Sequence, residues 1–220
     1  MALAGAWIFL AVALVQGAVR PEFDAWQQSI SALSLGPGGW VQQANFMALG
    51  VVLSTTVPVW WRVLAGGTGG TAYPVLTALT AVSLVLLGLV PQDPAPGYDP
   101  EGLRLDGPTT RGLMHLAVAG VWAGCSAAAV FVMARRFAGD VHWRGWAAYS
   151  RAMGVLMIGC VAVYAVRSTE PTGVAGALER AAGIVTTMWG TTVVWRLWRG
   201  APLMVVRAGG IVKAAAAEFE

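Results

Sequence analysis

Six long apolar runs alternate with short polar stretches along the chain. The runs cover roughly 2–19, 40–64, 71–91, 112–135, 145–166 and 176–198. At 1.5 Å rise per residue, about 20 apolar residues span about 30 Å of hydrocarbon, so each run predicts a transmembrane helix. The connections are rich in helix breakers. Loop one, RPEFDAWQQSISALSLGPGG, opens on Arg20-Pro21 and closes on Gly36-Pro37-Gly38-Gly39. Loop two is AGGTGGT, and loop three, QDPAPGYDPEGLRLDGPTTR, carries four prolines and four carboxylates. Loop four, RRFAGDVHWRGW, is basic and aromatic, and loop five is RSTEPTGVA. The first run has neither a basic leader nor a small-residue cleavage site, which predicts a retained helix and not a signal peptide. Periodicity stops after Arg199, and the terminal AAAAEFE reads as a segment added in cloning. The expected organisation is one membrane domain over 1–199 and a tail over 200–220.

Composition agrees with lipid as the main solvent. Of the 220 residues, 57% are hydrophobic and 11% charged, against about 25% charged in soluble domains; the mean hydropathy is +0.64. The net charge of +3 is no phosphate-binding stripe, because the arginines scatter to helix ends and Lys213 is the sole lysine. A nucleic-acid partner is therefore not expected. Charge sets orientation instead. Loops two and four and the C-terminal segment hold Arg62, Arg135, Arg136, Arg144, Arg196, Arg199, Arg207 and Lys213. Loops one, three and five, with their helix ends, hold Arg20, Arg104, Arg111, Arg167 and Arg180. They also hold Glu22, Asp24, Asp93, Asp99, Glu101, Asp106, Glu170 and Glu179. The expected fold is an all-α membrane protein, a six-transmembrane-helix bundle with both termini cytoplasmic, in the cell (inner) membrane.

Polar residues inside apolar helices cost about 2.5–3.5 kcal/mol each on insertion scales, so they face inward or mark function. Asp24, Asn45, Asp93, His115, Glu179 and Arg180 all fall at the end of the bundle carrying loops one, three and five. His115 and Trp122 share a helix face, as do Glu179, Thr186 and Trp189 or Gly190. An interfacial capping network with a belt of tryptophans explains the same pattern equally well. Most of the eleven tryptophans sit at helix ends, whereas Trp122 and Trp189 lie deeper. Gly120 and Gly124 form a GxxxG pair that predicts close helix packing. Cys125 and Cys160 read as small packing residues. No CxxC, HExxH, GxSxG or aspartate-rich diphosphate motif occurs, so neither a metal nor a cofactor is expected.

The ordered segments RPEFDAWQQSISALSLGPGGWVQQANF, LGLVPQDP, TTRGLMHLAVAG, ARRF, WAAYSRAMG and GALERAAG resemble an actinobacterial six-helix membrane family known only as a domain of unknown function. The resemblance spans roughly 1–199 and implies fold and topology. In length, helix count, tryptophan content and intramembrane carboxylates the chain is also similar to small membrane-bound type II terpene cyclases of actinomycetes that act in meroterpenoid and indole-terpenoid pathways. That likeness implies a metal-independent, isomerase-type enzyme acting on an apolar prenylated acceptor that enters from the bilayer. Such chemistry needs a protonated carboxylic acid in an apolar site and π faces around a carbocation. Asp93 and Asp24 are the first candidate acids. Glu179, beside Arg180, suits an orienting role, and His115 a proton relay. Trp26, Trp40, Asn45, Trp122, Tyr164, Arg180 and Trp189 are the candidate substrate-binding residues. The alternative is a non-enzymatic membrane protein, binding or passing a lipid or small molecule, with Arg180 and Arg20 holding an anion.

Overall fold

The computed structural model describes residues 2–103, 105–169, 173–207 and 210–213; Arg104, Glu170 and the terminal AAAAEFE lie outside them. The helices are α1 (Ala2–Val19), α2 (Gly39–Ser54), α3 (Val57–Val63), α4 (Ala72–Leu89), α5 (Thr110–Ala138), α6 (Trp146–Arg167) and α7 (Ala175–Trp198). They follow the six apolar runs within a few residues, with one difference. The second run is broken at Thr55–Thr56. Pro58 lacks an amide hydrogen and its ring would clash with the carbonyl four residues back, so the helix restarts with proline in its first turn. The tail, where helical periodicity is lost, forms an antiparallel ribbon of β1 (Met204–Arg207) and β2 (Gly210–Lys213).

Among the described residues, four helical spans are long and apolar enough to cross a membrane: Gly39–Val63, Ala72–Leu89, Thr110–Ala138 and Trp146–Arg167. Leu3–Val19 is a shorter apolar helix. The 24 residues of α7 are long enough, but Glu179, Arg180 and Arg196 lower its hydropathy. Both flank the four spans in one helical membrane bundle. Their contacts fix direction. Glu179 of α7 meets Ile30, just beyond α1, while Thr191 meets Trp7 near the start of α1. The two helices are antiparallel, so the start of α1 and the end of α7 share one end of the bundle, the termini end. Loops one, three and five form the other, the loop end.

Glycine lets α2 and α4 approach closely. A Cβ at Gly50 would sit 2.6 Å from the Ala81 carbonyl oxygen, and one at Gly88 2.5 Å from that of Gln43. Gly120 and Gly124, by contrast, have nothing within 4 Å of a built Cβ. The expected GxxxG packing therefore does not occur within this chain; the motif faces away from the other helices. One apolar core at the loop end gathers Phe9, Leu10, Ile30, Leu33, Phe46 and Leu87. A larger, aromatic core at the termini end gathers Trp60, Tyr73, Phe137, Trp143, Trp189 and Leu197. Cys160 packs with Ala127, Met157 and Ala182. Side chains such as Leu116 and Val166, 66% and 74% exposed, sit on helix faces turned to lipid.

Candidate binding site at the loop end

Loop one is not a surface connection. From Gln28 to Leu35 every residue is buried, including the 3₁₀ turn Ser31–Ser34. A buried backbone needs hydrogen-bond partners for each group it takes from water, and three neighbours supply them. The first is the start of α7, whose leading N–H groups have no intrahelical acceptor and whose N-cap, Val174, has no capping side chain. The Gly176 and Ala177 amides donate to the carbonyls of Gln27 and Trp26, both at 3.1 Å. Gly176 has to be glycine, because a Cβ there would run into the Gln28 carbonyl oxygen. The second neighbour is α2, where Gln43 Nε2 donates to the Ser34 carbonyl at 3.0 Å. The third is loop three. Ser29 Oγ donates to Gln92 Oε1 at 2.9 Å, and the Gly36 amide donates to Glu101 Oε1 at 3.0 Å.

Arg180 and Glu179 close this clasp. One guanidinium nitrogen of Arg180, Nη1, donates to the carbonyls of Ala25 (2.9 Å), Gln28 (2.8 Å) and Gly176 (2.9 Å). The same group lies 5.6 Å from the Phe23 ring centroid. Its Nε and Nη2 are buried without a partner, and the residue is 8% exposed. Those two atoms form the edge of a guanidinium that presents two parallel donors, the geometry that grips a carboxylate or phosphate. Asp24 and Glu179 supply nearby negative charge, yet among the described residues neither comes within ion-pair distance. Glu179 Oε2 accepts the Ile30 amide at 2.5 Å, and Tyr164 of α6 is near enough to Glu179 and Ser29 to feel both electrostatically.

The other candidate acids have local partners. Asp24 Oδ1 accepts the Trp26 amide at 2.8 Å and Oδ2 accepts Gln27 Nε2 at 2.6 Å, a turn that shapes loop one. Asp93 accepts both the amide and the hydroxyl of Thr109, the N-cap of α5, at 2.8 and 2.5 Å. His115, buried nearly two turns further on, has Nδ1 2.6 Å from the Val90 carbonyl oxygen. The Ser29–Gln92 bond links this second group, on α4 and α5, to the Glu179–Arg180 group. The structure places Asp24, Asp93, His115, Glu179 and Arg180 at the loop end, with Tyr164 near Glu179, in two adjoining clusters and not around one chamber.

The aromatic candidates divide. Trp122 is half-buried against the loop-end core. Trp26 and Trp40 are 67% and 68% exposed and project from the loop end. Trp189 belongs to the other core, where its Nε1 donates to Ser150 Oγ at 2.9 Å. Arg20 is engaged apart from Arg180, donating to the Leu35 carbonyl at 2.7 Å. Asn45 donates to Gln42 Oε1 at 3.2 Å and to the Phe9 carbonyl at 3.0 Å.

Sequence reasoning missed the partners of Asn45. Gln16 Nε2 donates to Gln42 Oε1 at 2.8 Å between α1 and α2, leaving Gln16 Oε1 and Gln42 Nε2 buried and unpartnered. Ser29 was also missed. The signal for both was available: polar residues within apolar runs for the glutamines, and the apolar spacing of Ile30, Leu33 and Leu35 inside a nominal loop.

A helical bundle with lipid-turned apolar faces, several membrane-length spans and a polar clasp buried at one end defines a multi-pass membrane protein. The chain belongs to the family described as "Protein of unknown function (DUF998)", whose model matches residues 3–196. Neither a curated protein nor a solved structure matches it. The family description names no activity, so the likeness to terpene cyclases rests on the resemblance alone.

Proposed function

We propose that the protein binds an anionic amphiphile at its loop end, with the loop end facing out of the cell membrane and the basic termini end facing the cytoplasm. The observation that carries this reading is the buried Arg180 fork, whose two parallel donors have no acceptor. A buried donor without a partner costs about 1–3 kcal/mol, more for a charged group, so a ligand carboxylate or phosphate would relieve a standing penalty. The apolar remainder of the ligand would lie against the loop-end core or the surrounding lipid.

The test is binding by the purified full chain in nanodiscs, with a long-chain alkyl phosphate and the matching neutral alcohol as probes. Tighter binding of the phosphate by tenfold or more is expected, abolished by Arg180→Gln and weakened by Arg180→Lys, which keeps the carbonyl contacts but loses the fork. Equal affinity for the two probes would reject the reading.

A second reading, a proton-initiated cyclase acting on a prenylated acceptor, is favoured by one observation. Glu179 is half-buried near Tyr164 and receives a single backbone N–H, whereas the carboxylates of Asp24 and Asp93 serve a turn and a helix cap. Glu179 would give its proton to a terminal alkene, and loss of a proton after ring closure would restore it. A mass-neutral cyclised product that Glu179→Gln no longer makes is the expected signature; unchanged turnover in that variant would remove Glu179 from the chemistry.

A further inference from the structure

The opposite end of the bundle carries cations of a different kind. In the last turn of α7, Arg196 Nη2 donates to the His142 carbonyl at 2.6 Å, and its guanidinium lies 5.2 Å from both the Trp143 and the Trp146 ring centroids. Arg196 Nε is buried without a partner. One turn on, the Arg199 guanidinium lies 4.6 Å from the Trp195 ring centroid. The two arginines share a depression of about 360 Å³ with Trp195, Gly200 and Ala201. Loops two and four contain one carboxylate, Asp140, which faces His142 and Arg136. Two guanidinium groups are thus fixed side by side by aromatic faces, with no carboxylate among the described residues to neutralise them.

Depth is set by the same helix end. Trp195 and Trp198 are 50% and 67% exposed, and indole rings settle at the level of lipid headgroups. A phosphate at that level meets guanidinium donors through paired, charge-assisted hydrogen bonds. We infer that the Arg196–Arg199 depression is a binding site for a phosphate group, carried by an anionic phospholipid or present as the free ion. This site is separate from Arg180 and does not depend on the function proposed for it.

Native mass spectrometry of the full chain released from nanodiscs tests the inference. Wild-type protein should retain phosphatidylglycerol in preference to phosphatidylcholine. Arg199→Gln should lower that retention about fivefold, the size expected for one basic residue at a membrane surface, while Arg199→Lys retains much of it. Retention against excess inorganic phosphate identifies the lipid as the source. Capture of inorganic phosphate in phosphatidylcholine alone, lost in Arg199→Gln, identifies the free ion. If Arg199→Gln binds like wild type, or if Arg135→Gln, an exposed change outside the depression, weakens retention as much, there is no such site.

Discussion

Arg180 at the loop end and the Arg196–Arg199 pair at the termini end are held in different ways. Arg180 is buried and uses one nitrogen on three backbone carbonyls of loop one and α7. Arg196 and Arg199 lie over indole rings at the edge of the bundle. The reason lies in the neighbouring backbone. Loop one folds inward and brings carbonyl oxygens that lack helix or sheet partners, so a cation there also completes the backbone hydrogen bonding. At the termini end the short connections give carbonyls to Arg136, from Leu64 and Thr68, and one to Arg196, from His142, and π faces hold the rest of Arg196 and Arg199. One end is therefore a clasp whose removal should cost stability, and the other an exposed basic surface whose removal should cost binding.

The strongest way to break this contrast is to wedge the clasp. In Gly176→Val the added carbons would collide with the Gln28 carbonyl and lie close to that of Ala25, 2.8 Å from a built Cβ. Overpacking of this kind costs about 1–3 kcal/mol or more. A clear fall in melting temperature in detergent is expected, together with new protease sensitivity within 20–38; a wild-type melting curve would show that loop one is not fastened there. Arg180→Met comes next. It removes three hydrogen bonds to a cation, each worth about 0.6 kcal/mol on average between membrane helices, so a loss of roughly 2 kcal/mol is expected by the same measurement. Arg199→Gln at the other end should leave the melting temperature within error while changing lipid retention. The smallest effect belongs to Trp26→Leu, whose ring is mostly exposed; less than about 0.5 kcal/mol is expected, and a larger loss would mean that Trp26 supports the clasp after all.

Much of the fold was legible because the bilayer imposes a length on every apolar run and permits little besides helix. The broken second run was legible in principle from Pro58, whose effect on a helix is local. The GxxxG pair misled because small residues permit close packing without requiring it; Gly50 and Gly88, which carry no such motif, make the tight crossing.

The candidate site was legible only in outline. The loop-end clustering of Asp24, Asp93, His115, Glu179 and Arg180 follows from topology alone, since helix direction assigns each residue to an end. Which carboxylate would cap a helix, which would fasten a loop, and which guanidinium edge would stay open depended on loop one folding inward. That event is set by the sum of many distant contacts: Ser29 with Gln92, Gln43 with Ser34, Gly176 with Gln27. The sequence by itself determined the solvent, the number of helical runs and the end to which each charge goes, because those follow from hydropathy and helix length. The tertiary structure decided the partner of every polar group, because a hydrogen bond depends on positions to within a few tenths of an ångström.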